Sequence, residues 1–184
     1  MSIPIKYTRV AIILHWVVAV AIFGALTLGI YMHDLSLSPR KLRLYSYHKW
    51  IGITVLILVI VRIIWRISHK PPLLPASMPH WQKLAAHGVH HGLYLLMLMI
   101  PLSGWLMSSA LGVPVVWLGM IHLPDLVNKD KELGELLKVL HKLLNFTMLA
   151  FIVAHVGAAL QHHFVQRDGL LARMLPFLEK GAGE

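Results

Sequence analysis

Cysteine is absent from the 184 residues of the chain. That absence excludes disulfides, thiolate-held iron–sulfur clusters and the C-x-x-C-H attachment of covalent haem. Charge is also scarce: 14% of residues are charged, and Asp and Glu together number eight. No acidic residue falls within 10–32, 45–67 or 82–110. Soluble domains carry about a quarter charged residues, so an ordinary soluble domain is excluded. Apolar side chains make up 57% of the chain, and histidine occurs 13 times. The chain reads as one integral membrane domain over 1–184, with the lipid bilayer as its first partner. Its net charge of +9 fits membrane topology and anionic lipid contact. The basic residues flank apolar spans instead of forming a soluble patch, so nucleic acid is not an expected partner.

Four spans are expected, at about 10–32, 45–67, 82–110 and 136–164. Each is long enough for a helix to cross a bilayer, which takes about 20 residues. The first is longer than the apolar core of a secretory signal and lacks a clear cleavage site, so it reads as a retained span. Pro71, Pro72, Pro75 and Pro79 make 69–81 a stiff loop. Pro101 predicts a kink in span three. Between Leu111 and Glu135 the apolar, Gly/Pro-broken first half reads as an interfacial segment and the second half as soluble loop. The tail, RDGLLARMLPFL, reads as a turn or two on the membrane surface.

Short connections make the four spans alternate in direction, as in an up-down bundle. We call the side of the N-terminus the N-side. His15 and His155 then lie near the N-side, and His48 and His141 near the far side. His141 and His155 share one face of span four, about 320° and about 21 Å apart along the axis. Ionisable side chains inside a membrane helix are costly and mark functional positions. Two imidazoles from different helices at one depth suit axial ligation of a haem iron. Gly29, Gly52 and the run Gly157–Ala159 offer room for a flat macrocycle. His87, His90 and His91 crowd the N-side level. Met97, Met99, Met107 and Met148 read as packing residues.

These residues resemble a known family. His15–Trp16, the His48 helix ending VRIIWR, LAAHGVHHGLYLL at the start of span three, H-x13-H from His141 to His155, and HHF followed by RDGLLARMLP are similar to bacterial cytochrome b561. The H-x13-H spacing also resembles the cytochrome b subunits of membrane hydrogenases and formate dehydrogenases. The b561 resemblance covers most of the chain. It implies an all-α fold: an integral membrane up-down four-helix bundle holding two b-type haems. It further implies ligation by the pairs His15/His155 and His48/His141, an inner-membrane location with both termini cytoplasmic, and electron exchange with ubiquinone. Lysine and arginine divide almost evenly between the N-side (Lys6, Arg9, Lys70, Lys83, Arg167, Arg173 and Lys180 among them) and the far side. The resemblance, not the positive-inside rule, therefore sets the orientation.

Among the implied members are superoxide:ubiquinone oxidoreductases, and the remaining charged residues are read in that light. Lys49 follows His48 and Lys142 follows His141, so both are candidates to steer a small anion such as superoxide toward the far-side haem. Arg62 and Arg66 are candidates for haem propionates on the N-side. His162, His163, His90 and Arg66 are candidates for quinone contact, with histidine able to relay protons. A different class of function is a membrane anchor and electron conduit for a separate dehydrogenase or other redox partner. A third, a histidine-lined metal transporter, would want acidic partners within the spans, and the first three have none.

Overall fold

The computed structural model describes residues 6–179; Lys180 lies outside them. Four long helices dominate: α1 (Arg9–His33), α2 (Pro39–Ser68), α3 (His80–Ala110) and α4 (Lys131–Gln161). All four are long and apolar enough to cross a membrane. All four begin earlier than hydrophobicity alone predicts, α2 and α4 by six and five residues, and polar caps, with proline in α2, set those two starts. Ser38 Oγ accepts from the Lys41 amide at 3.3 Å, with Pro39 in the first turn. Asp130 Oδ1 accepts from the Leu133 amide at 3.1 Å. Each cap satisfies an amide the helix leaves unpaired, and proline at N1 loses nothing there. Thr8 does the same for α1, accepting from Ala11 at 3.2 Å. It also accepts from the Trp65 indole at 2.9 Å, tying the end of α2 to the start of α1.

The Leu111–Glu135 connection departs from expectation. It folds into a short antiparallel hairpin of β1 (Val116–Trp117) and β2 (Ile121–His122). The run VPVVW is rich in β-branched residues, which favour strand. Leu118 and Gly119 at the turn have φ of 54° and 72°, the left-handed pair of a tight hairpin. The soluble loop then ends at Asp130, where α4 begins. Beyond α4 the chain makes a π-helical turn (His162–Gln166), a left-handed step at Arg167, and two 3-10 turns, at Leu171–Arg173 and Pro176–Glu179.

Helices α1 and α2 pack together, as do α2 and α3, and α3 and α4; among the described residues α4 has no comparable packing against α1 or α2. The core is a small plug of Val18, Val55, Val59, Leu96, Met97 and Met148. Val59 is 0% exposed. Met148 lies midway along α4 between His141 and His155, so the plug separates the two histidine levels. The α3–α4 seam is close because Gly92 lies against Phe151: a Cβ at Gly92 would overlap the Phe151 ring. Overpacking of this kind costs about 1–3 kcal/mol. Gly92→Ala is therefore expected to lower the thermal midpoint of the detergent-solubilised protein, and Phe151→Leu on that background to restore most of it. An unchanged midpoint for the single variant would show the seam to be looser than described.

Candidate functional site

The histidine pairs expected from depth come together across the seams that α4 leaves unpacked. His48 on α2 and His141 on α4 have ring centres 6.3 Å apart at 80°. His15 on α1 and His155 on α4 have ring centres 6.2 Å apart at 58°. A histidine–metal bond is about 2 Å, and the ring centre lies about 1 Å beyond its nitrogen. Two axial imidazoles across one iron would therefore stand roughly 6 Å apart, centre to centre. Both pairs have that spacing. The residues present thus fit two iron centres, one at each level. Among the described residues no three His, Asp or Glu side chains converge to hold a bare metal ion.

The far-side pair is set for ligation by its neighbours. His141 Nδ1 lies 3.1 Å from the Ile100 carbonyl and 2.9 Å from Ser103 Oγ. Ser103 donates its own proton to the Ile100 carbonyl at 2.8 Å, so both oxygens can accept from Nδ1–H. That arrangement fixes the tautomer and leaves Nε2 with its lone pair, as a metal ligand needs. Glycine lets both rings lie against a neighbouring helix. A Cβ at Gly104 would stand 3.2 Å from His141 Cε1, and one at Gly29 3.2 Å from His48 Cε1. Gly52, one turn from His48, faces open space. His48 Nδ1 is buried without a hydrogen-bond partner.

The N-side pair has a different setting. Arg62 Nη2 lies 2.9 Å from His15 Nδ1. Guanidinium has no acceptor, so the ring nitrogen must accept. In the neutral ring the proton then sits on Nε2, and Arg62 must release His15 before Nε2 can bind a metal. Arg62 and Arg66 also lie over the Tyr94 ring, at 5.2 and 5.7 Å from its centre. They line a small cavity of about 30 Å³ with Tyr7, Trp65, Tyr94 and Met174. His90 stands edge-on to His155, with ring centres 5.2 Å apart. The tail closes over this end: the Trp16 indole donates to the Met174 carbonyl at 2.9 Å, and Arg173 to the Leu73 carbonyl at 2.7 Å.

The other candidates are more scattered. Lys142 is exposed. Lys49 donates its ammonium to the carbonyls of Pro114 (3.2 Å) and Val113 (3.5 Å), at the stem of the hairpin. His162 does not line the Arg62–Arg66 cavity; its Nδ1 pairs with Asp168 Oδ2 at 2.6 Å. That pair is well covered, with side chains 13% and 19% exposed, and Asp168 Oδ1 also accepts from the Leu170 amide at 3.1 Å. His163 lies against the Phe164 ring.

The model of prokaryotic cytochrome b561 matches residues 6–177. The chain belongs to the prokaryotic cytochrome b561 family. Cytochrome b561 homolog 2 of Escherichia coli (strain K12) is 33% identical over 94% of this chain and 92% of its own length. Cytochrome b561 homolog 1 of the same organism is 29% identical over 93% and 97%. A protein named probable superoxide oxidase CybB, from Yersinia pestis, is 30% identical over 93% and 96%. As a b561 cytochrome the chain is a four-helix membrane protein that transfers electrons and carries b-type haem.

Four residues not singled out from the sequence touch these candidate positions: Ser103 and Gly104 lie against His141, Tyr94 under Arg62 and Arg66, and Asp168 on His162. Ser103 and Gly104 are nearly forty residues from His141 and reach it only through α3–α4 packing, so no spacing marks them. Asp168 could have been noticed, as an acidic residue six positions past His162 in a basic tail. Outer partners of a metal-bound histidine typically contribute 10–100-fold to affinity. With the Ile100 carbonyl still in place, Ser103→Ala is expected to loosen far-side haem by about tenfold. Haem transfer from the variant to apomyoglobin would show this as faster loss of one of the bound haems; unchanged kinetics would remove Ser103 from the site.

Proposed function

We propose that the protein is a dihaem cytochrome of the bacterial inner membrane that oxidises superoxide on the periplasmic side and reduces ubiquinone. The observation that carries this reading is the geometry of the two imidazole pairs, each at the spacing of a bis-histidine centre. One lies near each membrane face, with the apolar plug between them. Similarity to the relative named as a probable superoxide oxidase supports the choice of donor.

Bound haem supplies one-electron chemistry at each pair. His48 and His141 would hold the far-side group, with Nε2 of His141 left free by the contacts of its Nδ1 to Ser103 and Ile100. His15 and His155 would hold the N-side group, with Arg62, released from His15, and Arg66 available to pair with its anionic substituents. The positive charge of Lys49 and exposed Lys142 lies next to the two far-side ligands in sequence and attracts a small anion over the Debye length. Two superoxide anions each give up one electron and leave as dioxygen. One ubiquinone accepts both electrons with two protons and leaves as ubiquinol. The His162–Asp168 pair is suited to relay such a proton: the carboxylate orients the ring at 2.6 Å, and imidazole is a common proton carrier. Both termini lie on the cytoplasmic side in this arrangement.

The decisive experiment is stopped-flow mixing of purified holoprotein with superoxide, with and without ubiquinone. Immediate haem reduction, relieved only when ubiquinone is present, is the expected result. Absence of haem reduction would leave quinone-linked electron transfer with another donor. Activity of the isolated chain would also argue against an obligate anchor for a dehydrogenase.

Two sets of variants test the residue roles. His48→Ala and His15→Ala are each expected to halve the haem content measured by pyridine haemochrome. Retention of both haems in either variant would contradict the pairing. Asp168→Asn is expected to leave superoxide-driven haem reduction intact while slowing reoxidation by ubiquinone about tenfold or more. Equal slowing of both phases would point to a general fold defect, and no slowing would remove the pair from proton delivery.

A further inference from the structure

The β1–β2 hairpin packs along the sides of α2 and α3 instead of projecting beyond the end of the bundle. After α3 the chain reverses at Gly112 (φ 68°) and runs back down the helix. The Val113 amide bonds the Ser108 carbonyl at 2.9 Å, and Ser108 Oγ donates to the Val113 carbonyl at 2.6 Å. Val115 is then fully enclosed, at 2% exposure. The Trp50 indole donates to the Val116 carbonyl at 2.6 Å, and the Trp117 indole to Thr54 Oγ1 at 3.2 Å. Thr54 lies six residues, about 9 Å, further into the span than His48. The return limb climbs again, with the Trp105 indole on the Pro124 carbonyl at 3.0 Å and the Asp130 amide on the Ala110 carbonyl at 2.9 Å.

The face of α2 that receives this hairpin is apolar and exposed along the rest of the helix. Trp50, Thr54, Ile57, Val61 and Ile64 fall within about 80° of one another around the helix. The hairpin covers the first two, and Ile57, Val61 and Ile64 below it are exposed. The hairpin therefore continues this exposed apolar face toward the far side. Its tip is apolar. Leu118, Met120 and Ile121 are exposed, Met120 by 75%. Leu118 holds a left-handed backbone at φ 54°, a conformation costing a non-glycine residue about 1–2 kcal/mol. Polar or glycine residues would relieve that cost, yet the position carries leucine.

We propose that the hairpin is an interfacial anchor whose tip, Leu118, Met120 and Ile121, inserts at the boundary between headgroups and acyl chains of the far-side leaflet. Backbone that is neither helical nor in a closed barrel cannot stand in the hydrocarbon centre. At the boundary it can, because much of the hairpin is already paired. The strands pair with each other, the Leu123 amide bonds Val115, and the Gly119 and Met120 amides bond Val116 and Trp117. Lys49 and the two indoles pin the stem, and tryptophan favours this level of a membrane. The anchor thereby fixes the wall beside the His48–His141 pair at a constant depth, whichever donor the protein uses.

The absence of native cysteine makes the test direct. Met120→Cys, and separately Ile121→Cys, would be labelled with an environment-sensitive fluorophore in the holoprotein. Asp125→Cys serves as the control on the return limb's polar loop. The proteins would be reconstituted in phosphatidylethanolamine/phosphatidylglycerol vesicles carrying nitroxides at the headgroup, shallow-acyl or deep-acyl position. The expected result is blue-shifted emission at 120 and 121, lost most to the shallow-acyl nitroxide and little to aqueous iodide. Iodide quenching equal to that at position 125 would overturn the proposal and leave a surface free to meet a soluble partner. Protection from both iodide and nitroxides would also overturn it, showing the tip to be covered by protein. Two labelled positions guard against one variant failing to incorporate haem, which the absorption spectrum reports. Failure of the superoxide experiment leaves this result unaffected.

Discussion

Helix α4 meets α1 and α2 through imidazole rings at two levels, with a small apolar plug at Met148 between them, and most of the architecture follows from that. In a bilayer, helices gain little from hiding hydrocarbon against each other, because lipid is equally apolar. They associate through close packing and polar contacts. Close packing is concentrated here in the α1–α2, α2–α3 and α3–α4 seams. The remaining seams are held open at the ring-to-ring distance of a shared metal. Gly29 and Gly104 let the His48 and His141 rings lie back against α1 and α3, while Gly92 brings α3 and α4 close at Phe151.

The two levels are not equivalent. The far-side pair is preset, with one ligand's tautomer fixed by a carbonyl and a hydroxyl on α3. The N-side pair is guarded by an arginine that holds the ring nitrogen of His15. In the proposed dihaem arrangement the far-side group would be accepted with little rearrangement, whereas the N-side group would have to draw Arg62 away. Carboxylates on the incoming group are suited to do so, since a bidentate carboxylate offers guanidinium more than a single neutral nitrogen. Order of loading is therefore a property of the side chains as much as of the cofactor.

Much of this was legible in the sequence because a membrane helix is nearly one-dimensional. Depth follows from counting residues, and direction alternates, so His15 could be matched to His155 and His48 to His141 without any three-dimensional information. Lateral relations are another matter. Ser103 and Gly104 meet His141 only through the packing of α3 on α4, and no periodicity announces that. The hairpin was missed because the Leu111–Leu123 run is apolar and broken by glycine and proline, a composition shared by interfacial loops. Its strand character rests on valines and on two left-handed residues at the turn. The early starts of α2 and α4 were hidden because capping, and not apolar run length, decides where a helix begins.

The plug of Val18, Val55, Val59, Leu96, Met97 and Met148 has an electrical consequence. Electrons can tunnel past saturated side chains, but a proton needs a chain of hydrogen-bonding groups, and these six offer none. A current through the plug is then carried by electrons alone, and the protons that accompany quinone reduction must be taken from the side where the quinone binds. In the proposed direction each electron moves toward the negatively charged cytoplasm. It does work against the membrane potential of about 2.3 kcal/mol for every 100 mV. The packing of a few aliphatic side chains would thus make the protein a small generator of transmembrane voltage.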